Sequence, residues 1–188
     1  MISSQETRLK EVKALKIGKN MSVDKLVREL RGCAFGAGRL ATAVDIYEEM
    51  LTEETTKFMG IAGALVPAGM RNVIAQMIRE RYVDVVVTTG ANLVHDIIEA
   101  LGDHHYKIGE GGMDAGAEKN ADTAIEVDDV WLREQGMERI YDVILHEEAF
   151  AKLEDFLRGV FEKVTTQKNK SYSIKELTKA IGRSIAGI

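Results

Sequence analysis

Within nine residues, Thr88-Thr89-Gly90-Ala91-Asn92-Leu93-Val94-His95-Asp96 collects hydroxyls, a carboxamide, an imidazole and a carboxylate. Threonine hydroxyls and free main-chain amides can hydrogen-bond ribose or phosphate oxygens, and Gly90 lets the backbone approach a ligand without a Cβ in the way. Asn92 suits the N-cap of a helix beginning near Leu93. Spacing of three or four along a helix brings Asn92, His95 and Asp96 toward one sector. His95 could pair with a substrate or relay a proton near neutral pH. Asp96 could bind an ammonium group or simply favour the positive end of the helix.

A second corner, Gly60 to Gly69, reads GIAGALVPAG and contains the only proline, Pro67. It lies beside the first corner if the two preceding strands pair in parallel, and Gly60, Gly63 and Gly69 could then admit a cofactor between them. Its glycines follow G-x-x-G, not the G-x-G-x-x-G order of the dinucleotide fingerprint. Two readings therefore stand at this point: both corners only join strands to helices, or together they form a ligand-binding edge. The adjacent His104 and His105 do not by spacing form a metal site, and no metal is expected. Cys33, the single cysteine, reads as a small buried packing residue, and Trp131, Tyr141 and Phe150 also read as packing residues.

The elements that must hold these residues follow from hydrophobic spacing. Residues 1–20 form a polar arm, and Ser22 caps a helix from Val23 to Leu30. Gly36 and Gly38 suggest a tight turn before a helix from Leu40 to Leu51. Strands are expected at Lys57 to Ile61 and Val83 to Val87, with helices at Gly69 to Arg79 and Asn92 to Leu101. That alternation belongs to an open α/β sheet. From Gly102 to Ala124 the pattern loosens into an exposed excursion rich in small and acidic residues. A helix at Ile125 to Gln135 and a strand at Ile140 to Leu145 follow. The next helix, Glu147 to Val164, carries Phe150, Leu153, Phe156, Leu157, Val160 and Phe161 as one stripe. Ser173 and Glu176 form a capping box for a last helix through Leu177, Ile181 and Ile185. There is no internal repeat. Two or three strands are few for a parallel sheet covered by helices, so the expected fold is an incomplete Rossmann-like unit that finishes its sheet or site with another polypeptide.

The chain has 188 residues with 45% hydrophobic content and a net charge of −5. It lacks the basic balance used to hold nucleic acid, and none is expected as a partner. One cysteine excludes an intrachain disulfide and fits a reducing compartment. The start has no secretory apolar core, and no apolar run approaches the ~20 residues that span a bilayer. A cytoplasmic protein without a membrane partner is the expectation.

Residues 57–102, KFMGIAGALVPAGMRNVIAQMIRERYVDVVVTTGANLVHDIIEALG, closely resemble deoxyhypusine synthase and its archaeal and bacterial relatives. DVVVTTGANLVHD is the most specific portion. GMERIYDVILHEEAF at 136–150 and the helix leading through SIKELTKAIG follow in the family's order. The resemblance runs from about residue 30 onward and covers roughly the first half of a full member. On it, residues 1–35 are an N-terminal arm and helix, and 36–188 the N-terminal portion of the NAD-binding domain. The resemblance implies a Rossmann-like α/β fold and a homotetramer with active sites at subunit interfaces. It implies NAD as cofactor and spermidine as donor. The polyamine is oxidised, its aminobutyl group is held as an imine on an enzyme lysine, and a lysine of translation factor eIF-5A receives it.

Carried over residue by residue, Thr88 and Thr89 match the family threonines of the NAD corner, and Gly90 matches a small residue there. Gly60 and Gly69 match glycines of the other nucleotide loop. Where the family has a serine-rich stretch, this chain has Ala62, Gly63, Ala64 and Ala68. Asp96 is retained, but His95 replaces a glutamate that attracts cationic spermidine, and an imidazole cannot supply that negative charge. The family's catalytic lysine and spermidine-binding tryptophan stand in C-terminal contexts that do not occur here. Trp131, Lys163, Lys168 and Lys170 lack those contexts, so no catalytic residue is assigned. Three functions follow. The first is a synthase-like subunit or fragment completed by a complementary C-terminal chain in a homo- or hetero-oligomer. The second is a non-catalytic structural or regulatory subunit. The third is NAD-assisted transfer on another polyamine, of homospermidine type.

Overall fold

The computed structural model describes residues 10–107, 128–164 and 170–187. The chain divides into two compact units, Met1–Lys57 and Phe58–Ile188. In the first, α1 (Val23–Leu30) is capped by Ser22, whose hydroxyl accepts from the Lys25 amide at 3.2 Å. Helix α2 spans Phe35–Thr52 and so absorbs the two glycines expected to form a turn. Gly38 answers a close approach instead: a Cβ there would fall 2.3 Å from the Cys33 carbonyl oxygen. An ion pair between Arg31 and Asp45 ties the middle of α2 to the end of α1. Cys33 is only partly buried, contrary to its expected burial.

In the second unit, β1 (Phe58–Ile61) and β2 (Val85–Thr88) pair in parallel, with Gly60 opposite Val87 and Ile61 opposite Thr88. This is the expected α/β alternation, with α3 (Arg71–Arg79) between the strands and α4 (Gly90–Ala100) after them. A π-helical turn, Val66–Met70, precedes α3, and Gly69 takes φ 87° within it, a conformation that side chains with a Cβ rarely adopt. Beyond α4 come β3 (Tyr106–Lys107), α5 (Asp129–Glu134), β4 (Met137–Ile140), β5 (Val143–His146), α6 (Glu148–Val164) and α7 (Ile174–Ile185). Most of the excursion and the first residues of the helix expected from Ile125 lie outside the described residues.

Instead of one strand at Ile140 to Leu145, β4 and β5 form a hairpin, and β3 joins the far edge to make an antiparallel sheet ordered β3-β5-β4. The reversal occurs at Tyr141-Asp142 without the usual Asn-Gly signal. Tyr141 takes φ 56° there and is 85% exposed, so it is a turn residue, not the packing residue expected. The Arg139 guanidinium braces the turn, donating to the Tyr141 carbonyl at 2.9 Å.

The core sits where α4, β5, α6 and α7 meet. Ile97, Ile98, Leu145, Leu153, Val160 and Ile181 are each no more than 6% exposed. The expected stripe of α6 packs there, with Phe150, Phe156, Leu157 and Phe161 partly buried around it. Each fully buried branched side chain contributes about 1.5–3 kcal/mol. Trp131 packs as expected, against the smaller pair Leu132 and Ile144. The Ser173–Glu176 capping box is present at the start of α7. Among the described residues, no helix is long and apolar enough to cross a membrane.

Candidate functional site

Parallel pairing puts the carboxyl ends of β1 and β2 side by side, and each end opens into a bend that leads to a helix. Asn92 locks the two bends together. It is not the N-cap; that position belongs to Thr89, because α4 starts at Gly90. Asn92 stands one turn further in and is 4% exposed. Its Oδ1 accepts from the Val66 amide at 3.2 Å, and its Nδ2 donates to the hydroxyls of Thr88 at 3.0 Å and Thr89 at 3.5 Å. The Thr89 hydroxyl in turn donates to the Gly63 carbonyl at 3.3 Å. A carboxamide is suited to this place because it accepts from one bend and donates to the other.

Gly60, Gly63, Gly69, Thr88, Thr89 and Gly90 are exposed at this edge. A Cβ built on any of the four glycines meets nothing within 4 Å, so the chain's own packing leaves room beside them. Gly63 and Gly69 also have positive φ, 69° and 87°, which sets the course of the first bend. The edge thus combines bare backbone with hydroxyls, a surface that fits the ribose and phosphate oxygens of a nucleotide. All six positions expected from the sequence at a cofactor edge, Gly60, Gly63, Gly69, Thr88, Thr89 and Gly90, therefore lie along this one edge, with Asn92 as the staple beneath them.

His95 and Asp96 diverge. Asp96 faces α3, where Arg71 Nε donates to its carboxylate at 2.5 Å. His95 is 5% exposed and turns toward α6, edge-on to Phe150 with ring centroids 6.1 Å apart. Phe150, expected only to pack, also lines a cleft of about 420 Å³ with His95 and with Glu138, Arg139, Leu145 and Glu147. Arg139 is committed to Asp129 through two hydrogen bonds of 2.5 and 2.7 Å. The carboxylates of Glu138 and Glu147 therefore set the charge of the cleft wall.

Behind the cleft, His95 Nδ1 lies 2.9 Å from His105 Nε2, and His105 Nδ1 lies 2.8 Å from Glu99 Oε1. Glu99 is steadied by Arg71, 3.6 Å away. Burial, and then the neighbouring His105, push the His95 pKa below its ordinary value, while Glu99 pulls the other way. Sequence reasoning missed Glu99, and it weighed His105 only beside His104 as a metal candidate, not as a partner of His95. The four-residue spacing of His95 and Glu99 on one helix was a usable signal, whereas the return of His105 depends on the turn after α4.

The sequence model described as deoxyhypusine synthase matches residues 25–187. A probable deoxyhypusine synthase of Methanosarcina thermophila is 53% identical over 175 residues, which are 93% of this chain and 50% of that protein. A probable deoxyhypusine synthase 1 of Methanosarcina mazei is 51% identical over the same shares. A probable deoxyhypusine synthase of Methanothermobacter thermautotrophicus is 34% identical over 173 residues, 91% of this chain and 51% of its own length. The chain thus spans about half the length of the curated relatives it matches. A match that begins in α1 and runs to the end of α7 takes in both strand tips, Asn92 and the cleft, and by it the chain belongs to the deoxyhypusine synthase family.

Proposed function

We propose that this chain supplies the nucleotide-binding edge and part of the substrate side of a deoxyhypusine-synthase-type transferase. The reaction is NAD-dependent transfer of an aminobutyl group from spermidine to a lysine of eIF-5A. The catalytic lysine comes from a complementary C-terminal chain in an oligomer. The observation that carries this reading is the paired strand tips with open glycine edges, stapled by buried Asn92. Bound NAD would supply a hydride acceptor for the amine carbon and return the hydride later. The chain's own residues bind and orient: exposed backbone at Gly60, Gly63, Gly69 and Gly90 meets the nucleotide, and Thr88 and Thr89 offer hydroxyl oxygens. His95 stands on the substrate side within the acidic cleft, where Glu138 and Glu147 attract a cationic amine. Asp96, expected beside His95 on the substrate side, instead faces α3 and has its charge held by Arg71.

The half-exposed strands support a completed assembly. Phe58 on β1 is 67% exposed and Val87 on β2 is 61% exposed, apolar side chains that further structure would cover. Reconstitution tests the reading. The chain alone, given NAD, spermidine and eIF-5A, is expected to transfer no aminobutyl group, and addition of the C-terminal half of a relative restores transfer. Robust transfer by the chain alone would remove the need for a partner; none with any complement would defeat the transferase reading.

A second reading, a structural or regulatory subunit, draws support from one observation. The hydroxyls of Thr88 and Thr89 already accept from Asn92, and that of Thr89 also donates to Gly63, so a ligand competes with internal bonds. Absence of NAD binding by calorimetry, with and without the complement, would favour it.

A further inference from the structure

We propose that Glu99, His105 and His95 form a fixed proton relay whose open end, His95 Nε2, accepts a proton from a ligand in the cleft. Glu99 and His105 are positioning residues in this scheme; His95 is the group that meets the ligand. The proposal rests on the amine-transfer reading for the presence of a protonated amine in the cleft, and not for the relay itself.

Hydrogen-bond direction along the chain is forced from one end. An ionised carboxylate only accepts, so the 2.8 Å contact to Glu99 puts a hydrogen on His105 Nδ1. A neutral His105 then has a bare Nε2, and the 2.9 Å contact needs its hydrogen from His95 Nδ1. His95 Nε2 is left without a proton, as a base. His95 has no freedom to choose otherwise: it is 5% exposed, and the His105 side chain is likewise 5% exposed. Arg71 Nε, 3.6 Å from Glu99 Oε2, holds that carboxylate in place.

Proton uptake follows the same line and balances. A ligand ammonium gives its proton to His95 Nε2 and keeps the electron pair as a free amine. An N–H bond forms at His95 Nε2, the bond at His95 Nδ1 breaks, and a new one forms at His105 Nε2. His95 ends neutral, and the positive charge rests on His105 beside Glu99. The cleft is thereby spared a buried cation at His95, consistent with the burial and the His105 neighbour that disfavour charge on that ring. Around the relay stand the charged groups Glu99 and Asp96 on α4, Arg71 on α3, which pairs with both, Glu138 and Arg139 on β4, and Glu147 before α6. Arg139 is neutralised by Asp129.

The test reads tautomers directly, by long-range proton–nitrogen NMR on the full chain without ligand at pH ~8, above the ordinary histidine range. His95 and His105 are both expected as Nδ1–H tautomers, with acceptor-type signals from both Nε2 atoms. His105→Phe removes the acceptor and is expected to shift His95 toward the Nε2–H form that free imidazole prefers. His105→Gln, which keeps a carbonyl acceptor, is expected to hold His95 as Nδ1–H. A protonated His95 Nε2 in the parent chain, or an unchanged tautomer in His105→Phe, overturns the relay. Should His105→Phe fail to fold, the parent tautomer and the Gln variant decide the matter. No ligand is present, so failure of the amine-transfer reading leaves these signals where the relay predicts them.

Discussion

Replacing Asn92 with alanine isolates what the staple contributes to the paired corners. The variant loses three hydrogen bonds, but they are not equal. Thr88 and Thr89 are exposed, so water replaces the carboxamide at their hydroxyls and little is lost. The Val66 amide is different: Val66 is 5% exposed, and its N–H donates to Asn92 Oδ1 at 3.2 Å. A buried donor left without a partner costs about 1–3 kcal/mol. A loss of about 2 kcal/mol is expected for the corner, a factor of roughly 30 in its opening equilibrium. Amide hydrogen exchange reads this at the site itself, since the Val66 amide exchanges through local opening. Its exchange should quicken by roughly 30-fold in Asn92→Ala. Thr89→Ala is the control: it removes only the 3.3 and 3.5 Å contacts of an exposed hydroxyl and should leave Val66 within about 2-fold. An Asn92→Ala effect no larger than that of Thr89→Ala would show that the bends hold without the staple.

Stability should fall as pH falls through the histidine range. Burial lowers the folded pKa of His95, so the unfolded chain binds the proton first, near pH ~6.5. The contribution is present above that value, is lost as pH drops toward the folded pKa, and then levels off; urea midpoints that fall more steeply for the parent than for His95→Gln check it. Ser173→Ala removes the hydroxyl that accepts from the Glu176 amide at 3.3 Å and should cost about 1 kcal/mol, seen as a lower thermal midpoint. Ile98→Ala, at a fully buried position, should cost about 2–5 kcal/mol by denaturant unfolding.

Much of the fold was legible because its signals are local. Ser22 caps α1, Ser173 and Glu176 cap α7, and the α6 stripe packs as its spacing predicts. The errors arise where local signals mislead. Gly36 and Gly38 read as a turn because glycine is usually punctuation, yet Gly38 is needed for the close Cys33 carbonyl. The β4–β5 reversal went unseen because Tyr141-Asp142 carries no glycine and sits inside an apolar run. At the corner, sequence gathered Thr88, Thr89 and Asn92 but made Asn92 a cap for its own helix. Its cross-bend role needs Val66, 26 residues earlier, which only parallel pairing brings near. The same holds for Glu99 and His105, which become partners of His95 only once the chain turns back after α4.

The central claim is that a dinucleotide meets this chain where β1 and β2 end. NMR titration of the labelled chain with increasing NAD, in the presence of the C-terminal half of a relative, tests it residue by residue. The account predicts that the amides of Gly60, Gly63, Gly69 and Thr88 through Asn92 shift together and saturate together. Saturable shifts confined to residues away from both bends would contradict it.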